Sequence, residues 1–152
     1  MKTIVALVDF SEDAFKVLKQ VHAMATAFSS RVVLLHVVPP QPVVMDLGIA
    51  SPTMLEPPSP AVVQAGVARL QEMRDSLSKF GIDVTAEQLA EGAADAVMDE
   101  ITKLNADLVI MGSHRHGVLY NLFVGSVTND VLKRMTCPVL LVPVDEEPGA
   151  RR

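Results

Sequence analysis

Hydrophobic residues along this chain fall into two kinds of run, and the two alternate. Ile4 to Val8 is a short continuous apolar stretch rich in β-branched residues, the pattern of a strand buried on both faces. It gives way to Asp9-Phe10-Ser11. Ser11 reads as a helix N-cap, with Glu12 and Asp13 in the positive first turn. Ala14, Val17, Leu18, Val21, Ala25 and Phe28 then recur at helical spacing and define one apolar face, with His22 at its margin, until Ser29-Ser30 ends it. Val32 to Val38 is a second continuous strand. Its one polar residue, His36, reads as a core histidine whose ring nitrogens find partners.

Pro39 to Pro60 breaks the rhythm. It holds seven of the ten prolines: Pro39, Pro40, Pro42, Pro52, Pro57, Pro58 and Pro60. Neither helix nor sheet is expected to tolerate that density. The segment also carries Val43, Val44, Met45, Leu47, Ile49, Met54 and Leu55, so it reads as a mobile lid or a packing flap; the alternative is an irregular insertion without function. Ala61 to Phe80 is the next helix, with Val63, Val67, Leu70, Met73, Leu77 and Phe80 on one side and Gly81 past its end. Ile82 to Leu89 alternates, as a strand near a sheet edge would. Ala93 to Leu104 is a helix with Ala94, Val97, Ile101 and Leu104 facing inward. Asp107 to Met111 is a buried strand, Gly112 to Gly125 a loop or short helix, Ser126 to Met135 a fourth helix, and Val139 to Val142 a last strand.

The order is β-α-β-loop-α-β-α-β-α-β. Such alternation specifies an α/β fold, an open parallel five-stranded sheet with helices on both faces. Its ligand site is expected beyond the carboxyl ends of the strands, where strand order reverses. At 152 residues the chain is a single domain, expected to span 1–145 and to end in a flexible polar tail over 146–152. With 49% hydrophobic and 20% charged residues it is too apolar for disorder, yet no apolar run reaches membrane-spanning length. A net charge of −5 gives no electrostatic reason to bind nucleic acid or anionic lipid, though a local anion site stays open. The single cysteine, Cys137, excludes an intrachain disulfide framework and reads as a small buried hydrophobe. Met1-Lys2-Thr3 runs straight into a strand without a signal peptide, so a cytoplasmic location is expected.

Two strand ends carry suitable chemistry. One is Leu7-Val8-Asp9. The other is Met111-Gly112-Ser113-His114-Arg115-His116-Gly117, followed by Gly125-Ser126-Val127-Thr128 at a helix start. Glycines let backbone N–H groups approach an anion, and a helix N-terminus adds free donors and about half a positive charge. Ser126 and Thr128 add hydroxyls. These parts suit a phosphate chain. Asp9 reads either as a ligand contact or as support for Ser11. His114 and His116, without a neighbouring carboxylate or thiolate, make a poor metal site, so no metal is assigned. Tyr120 and Phe123 read as core packing or as a cover over the ligand. No lysine follows a glycine loop in P-loop fashion, and Asp130 is the one acid near the proposed loop, so no catalytic residue is assigned.

The motifs Val8-Asp9-Phe10-Ser11-Glu12, Leu35-His36-Val37, Asp107 to His114, Gly125 to Thr128 and Cys137 to Pro143 together resemble the universal stress protein family over nearly the whole chain. The nucleotide-binding members of that family show Gly-x2-Gly-x9-Gly-Ser/Thr. Here Gly112 and Gly125-Ser126 keep the outer spacing, but Arg115 occupies the second glycine position and Gly117 lies two residues later. The resemblance implies a Rossmann-like fold of the adenine nucleotide alpha-hydrolase type. It also implies ATP as ligand, with or without Mg2+. Leu7, Val8, Asp9 and Val37 would surround adenine and ribose. Met111, Gly112, His114, the Arg115 backbone, Gly117, Gly125, Ser126, Val127 and Thr128 would hold ribose and phosphates. It further implies a homodimer paired through Val139–Val142 and an unidentified protein partner. The expected role is a nucleotide-dependent regulatory, stress-response module. Two alternatives stay open: a nucleotide-free interaction protein whose site Arg115 blocks, and a slow ATPase or nucleotidyl hydrolase.

Overall fold

The computed structural model describes residues 1–38, 41–44, 53–89, 94–112 and 134–143. In chain order the elements are β1 (Thr3–Leu7), α1 (Ala14–Phe28), β2 (Arg31–Val37), β3 (Gln41–Val44), β4 (Thr53–Glu56), α2 (Pro60–Ser78), β5 (Val84–Leu89), α3 (Ala94–Lys103), β6 (Leu108–Gly112) and β7 (Val139–Val142). Five strands form one sheet in the order β5-β2-β1-β6-β7, and every neighbouring pair is parallel.

Strand side chains alternate between faces with a period of two, and each face has its own apolar layer. Ile4, Ala6, Leu34 and Ile110 pack against Val17, Val21 and Ala25 of α1 and Leu70 and Leu77 of α2. Val5, Leu7, Leu35, Val109 and Met111 pack against Val97 and Ile101 of α3. Helices therefore cover both faces, as the continuous apolar strands require. β5 and β7 are the edges, and their weaker or shorter patterns fit that place. In β7, Leu141 is 50% exposed. No helix among the described residues is long and apolar enough to cross a membrane.

The amino end of the central strand is clasped by a carboxylate. Asp107 Oδ2 accepts from the N–H of Lys2 at 2.6 Å and of Thr3 at 2.9 Å, and the Asp107 N–H donates to the Thr3 carbonyl at 2.9 Å. The backbone donors of Thr3 and Lys2 hold its carboxyl below the usual carboxylate range.

Several local expectations are corrected. Helix α1 starts at Ala14 with Asp13 at the N-cap, so Ser11 is not the cap and Glu12 and Asp13 precede the first turn. Ser11 instead donates its N–H (3.2 Å) and its hydroxyl (2.7 Å) to Asp9 Oδ1. A carboxylate two residues upstream offers these donors a local turn in competition with the helix. The expected stop does occur at Ser29, which adopts φ 51°. Phe28 ends α1, and Phe80 lies two residues past the end of α2 rather than on its apolar side; they are 50% and 69% exposed.

The proline-rich segment does contain sheet. β3 and β4 pair antiparallel, with Pro42 opposite Leu55. In a two-stranded ribbon alternate residues point their N–H away from the partner, so a proline there need remove no ladder bond. Pro39, Pro40 and 45–52 lie outside the described residues. Pro60 belongs to α2, at its first turn, where the missing N–H costs nothing, and Ser59 Oγ accepts from the Val62 N–H. Gly81 takes φ 77°, as a residue closing off a helix end can.

Candidate functional site

The chain runs from β1 to β2 and β5 on one side and places β6 and β7 on the other. Strand order therefore reverses between β1 and β6, and ligands of such sheets bind beyond the carboxyl ends at that point. The register sets Leu35, Leu7, Met111 and Leu141 in one row across the sheet. Past this row stand Val8 and Asp9 from β1, His36 and Val37 from β2, and Gly112 from β6.

The structure thus gathers Leu7, Val8, Asp9, Val37, Met111 and Gly112 at one end of three adjacent strands. Their roles are unequal. Leu7, Val37 and Met111 are buried in the layer facing α3. Val8 is buried in the layer facing α1 and α2. These four can offer a ligand little but backbone. Asp9 is half-buried, and its carboxylate already holds Ser11 through Oδ1. Both earlier readings of Asp9 thus concern the same carboxylate, and support of Ser11 is the one seen directly. Gly112 is the last residue of β6, at this end of the sheet beside β1. His114, Arg115, Gly117, Gly125, Ser126, Val127 and Thr128 lie outside the described residues, as do Tyr120, Phe123 and Asp130. Among the described residues no three His, Cys, Asp or Glu side chains gather as metal ligands.

Three residues of this end were not in the candidate set. His36 is 7% exposed, and its Nδ1 lies 2.9 Å from the Val8 carbonyl. A carbonyl only accepts, so Nδ1 carries the proton. Burial lowers the pKa of the ring, against the opposing effects of that hydrogen bond and of Asp9, while Arg69 lowers it further. Phe10 lays its ring against His36 at a centroid distance of 4.0 Å. Arg69, from α2, sits 4.8 Å over the Phe10 ring and donates through Nη2 to the Phe10 carbonyl at 3.2 Å. The sequence held one signal for this cluster. A polar residue inside a buried strand must be partnered, and the nearest unpaired backbone is where the neighbouring strand ends.

Cys137 is half-buried against the α3-side layer, and burial pushes its thiol up, which suits a packing role. A cavity of about 690 Å³ opens at the opposite, amino-terminal end of the sheet, beside Arg31, Phe28 and Phe80. It is remote from the strand ends where the candidate residues converge.

The fold and its strand order define an open, doubly wound α/β domain of the kind that binds ligands at the switch point of its sheet. Comparison with known proteins gives that class a family. The universal stress protein family model matches residues 1–143, and the chain belongs to that family. A universal stress protein of Methanocaldococcus jannaschii is 28% identical over 141 residues, covering 93% of this chain and 81% of the relative. One from Thermus aquaticus is 27% identical over 143 residues, covering 93% and 98%. Among solved structures, the universal stress protein of Archaeoglobus fulgidus in complex with dAMP superposes with a TM-score of 0.64 at 20% identity, covering 93% of this chain and 98% of its own. A universal stress protein in complex with cAMP superposes with a TM-score of 0.65 at 20% identity, covering 95% and 98%.

Proposed function

We propose that this chain is a nucleotide-binding, regulatory member of its family, taking an adenine nucleotide, ATP in the first instance, at the crevice between β1 and β6. The observation that carries the reading is the meeting of Asp9 and Gly112 at the ends of adjacent strands, on either side of the point where strand order reverses. The dAMP and cAMP complexes of proteins with the same fold support it. In this reading Asp9 and the backbone around Val37 bound the base and ribose. Gly112, His114, the Arg115 backbone, Gly117 and the Gly125–Thr128 turn hold the phosphates, with Mg2+ as a companion of the phosphates rather than a protein-held metal. Binding alone suffices for regulation, provided the nucleotide favours one state of the protein over another. The reading includes a cytoplasmic homodimer joined edge to edge through β7, and a protein partner that senses the bound state.

Arg115 supports a second reading, in which its side chain fills the phosphate space and the protein works without nucleotide. One experiment separates the two. Nucleotides released by denaturing fresh protein are identified by mass spectrometry, and ATP–Mg2+ is titrated calorimetrically into wild type, Arg115→Gly and Gly125→Val. The first reading expects micromolar binding, about −8 kcal/mol, lost in Gly125→Val and not strengthened in Arg115→Gly, which keeps the backbone N–H. An empty wild type that gains affinity in Arg115→Gly would establish the second.

A further inference from the structure

The residue that best explains how Asp9 is held is not a candidate ligand contact at all. Asp9 sits in a turn whose two flanking residues are both gripped from outside it. On one side, Val8 donates its N–H to the Leu35 carbonyl at 3.0 Å, and its own carbonyl accepts from His36 Nδ1. On the other, Phe10 presses its ring on His36 while Arg69 holds its carbonyl. His36 therefore touches both neighbours of Asp9, through a hydrogen bond to one and a ring face to the other. The imidazole is itself fixed. Its strand is paired on both sides, with Leu35 opposite Leu7 and His36 opposite Gln88. The His36 hydrogen bond is short and buried, and the Arg69 bond adds a second hold at the surface, so the turn has little freedom to wander before a ligand arrives.

We propose that His36 is a positioning residue of the nucleotide site, setting the Asp9 carboxylate through the Val8 carbonyl and the Phe10 ring without touching the ligand. This rests on the nucleotide-binding reading above. A site held in its bound geometry by a second layer of contacts loses less entropy on binding than one assembled by the ligand.

Two substitutions take the imidazole apart. His36→Phe keeps a ring against Phe10 but removes the donor, leaving the Val8 carbonyl unsatisfied. His36→Asn loses the ring but keeps an N–H donor close to the Nδ1 position. Calorimetric titration of ATP–Mg2+ into full-length protein should show His36→Phe weakened about tenfold and His36→Asn within about threefold of wild type. Combining His36→Phe with Asp9→Ala should bind no worse than Asp9→Ala alone, because a positioning residue has nothing left to position. In nitrogen-15 spectra the Phe10 amide should shift in both variants, whereas the Asp9 and Ser11 amides should move further in His36→Phe than in His36→Asn. Full affinity in a folded His36→Phe, or losses that multiply in the double variant, would overturn the proposal while leaving nucleotide binding intact. A wild type that binds no adenine nucleotide would overturn the functional reading, and this proposal with it.

Discussion

Burial keeps the His36 imidazole neutral, and that gives the fold a pH dependence with a definite sign. Its folded pKa lies below 6.5 because burial, the largest influence, outweighs the Val8 hydrogen bond and the Asp9 charge, with Arg69 adding to the depression. Between that lowered value and the unfolded one, the unfolded chain binds more protons. The stabilisation is therefore complete above the unfolded pKa and is lost as pH falls toward the folded one. The urea midpoint should drop between pH 7.5 and 5.5, by a slope of at most about 1.4 kcal/mol per unit from this group. His36→Asn should lack that component; an unchanged profile in the variant would show that other groups carry the dependence. A second residue-scale test concerns Gly66. A Cβ there would lie 2.5 Å from Gln88 Oε1, an acceptor without a donor among the described residues, while Gln88 Nε2 donates to the Val63 carbonyl at 3.0 Å. Gly66→Ala should gain less in wild type than in a Gln88→Ala background, since in wild type the amide must move and release Val63. In the Gln88→Ala background the change should stabilise by about 1 kcal/mol, the ordinary helical preference for alanine. Thermal unfolding of the four proteins of this cycle checks the difference.

At the scale of elements, α2 depends on how it begins. Ser59 caps it with a side-chain bond of 3.4 Å, at the long end of hydrogen-bond geometry, and Pro60 follows at the first turn. Ser59→Ala should cost about 0.5–1 kcal/mol, read as a lower melting temperature with unchanged helix content. All five sheet strands and the first three helices were legible in the sequence, because a strand buried on both faces leaves a continuous apolar run and a covering helix leaves a periodic one. Ser11 misled because capping preference is a statement about isolated residues, whereas here its hydroxyl is turned to donate to Asp9 and the helix begins three residues on. The β3–β4 ribbon was illegible for a related reason. Proline statistics forbid interior strands, and a ribbon of two strands has no interior. Of the candidate site, Val37 entered only through the family resemblance, whereas the strand ends at Leu7–Asp9 and Met111–Gly112 followed from topology. His36, Phe10 and Arg69 did not, because contacts between β2, the turn after β1 and α2 join residues whose spacing has no pattern.

At the scale of the whole molecule, β7 is an edge of the sheet among the described residues. Unpaired strand edges invite association, and closed two-fold pairing is a common answer. Leu141→Arg, at a half-exposed position of that edge, should convert a dimer to monomers in sedimentation, with the dissociation constant raised at least about tenfold. A dimer that survives would place the interface elsewhere. The strand order carries a different consequence, for the time course of synthesis. β1 is made first yet stands at the centre, and its partner β6 lies across a separation typified by the 105 positions from Lys2 to Asp107. A chain emerging from the ribosome can pair β1 with β2 and β2 with β5 early, but one flank of the fully buried β1 stays bare until two-thirds of the protein has followed. Nascent chains arrested before Leu108 should bind chaperones and clump, whereas those released after Val142 should not.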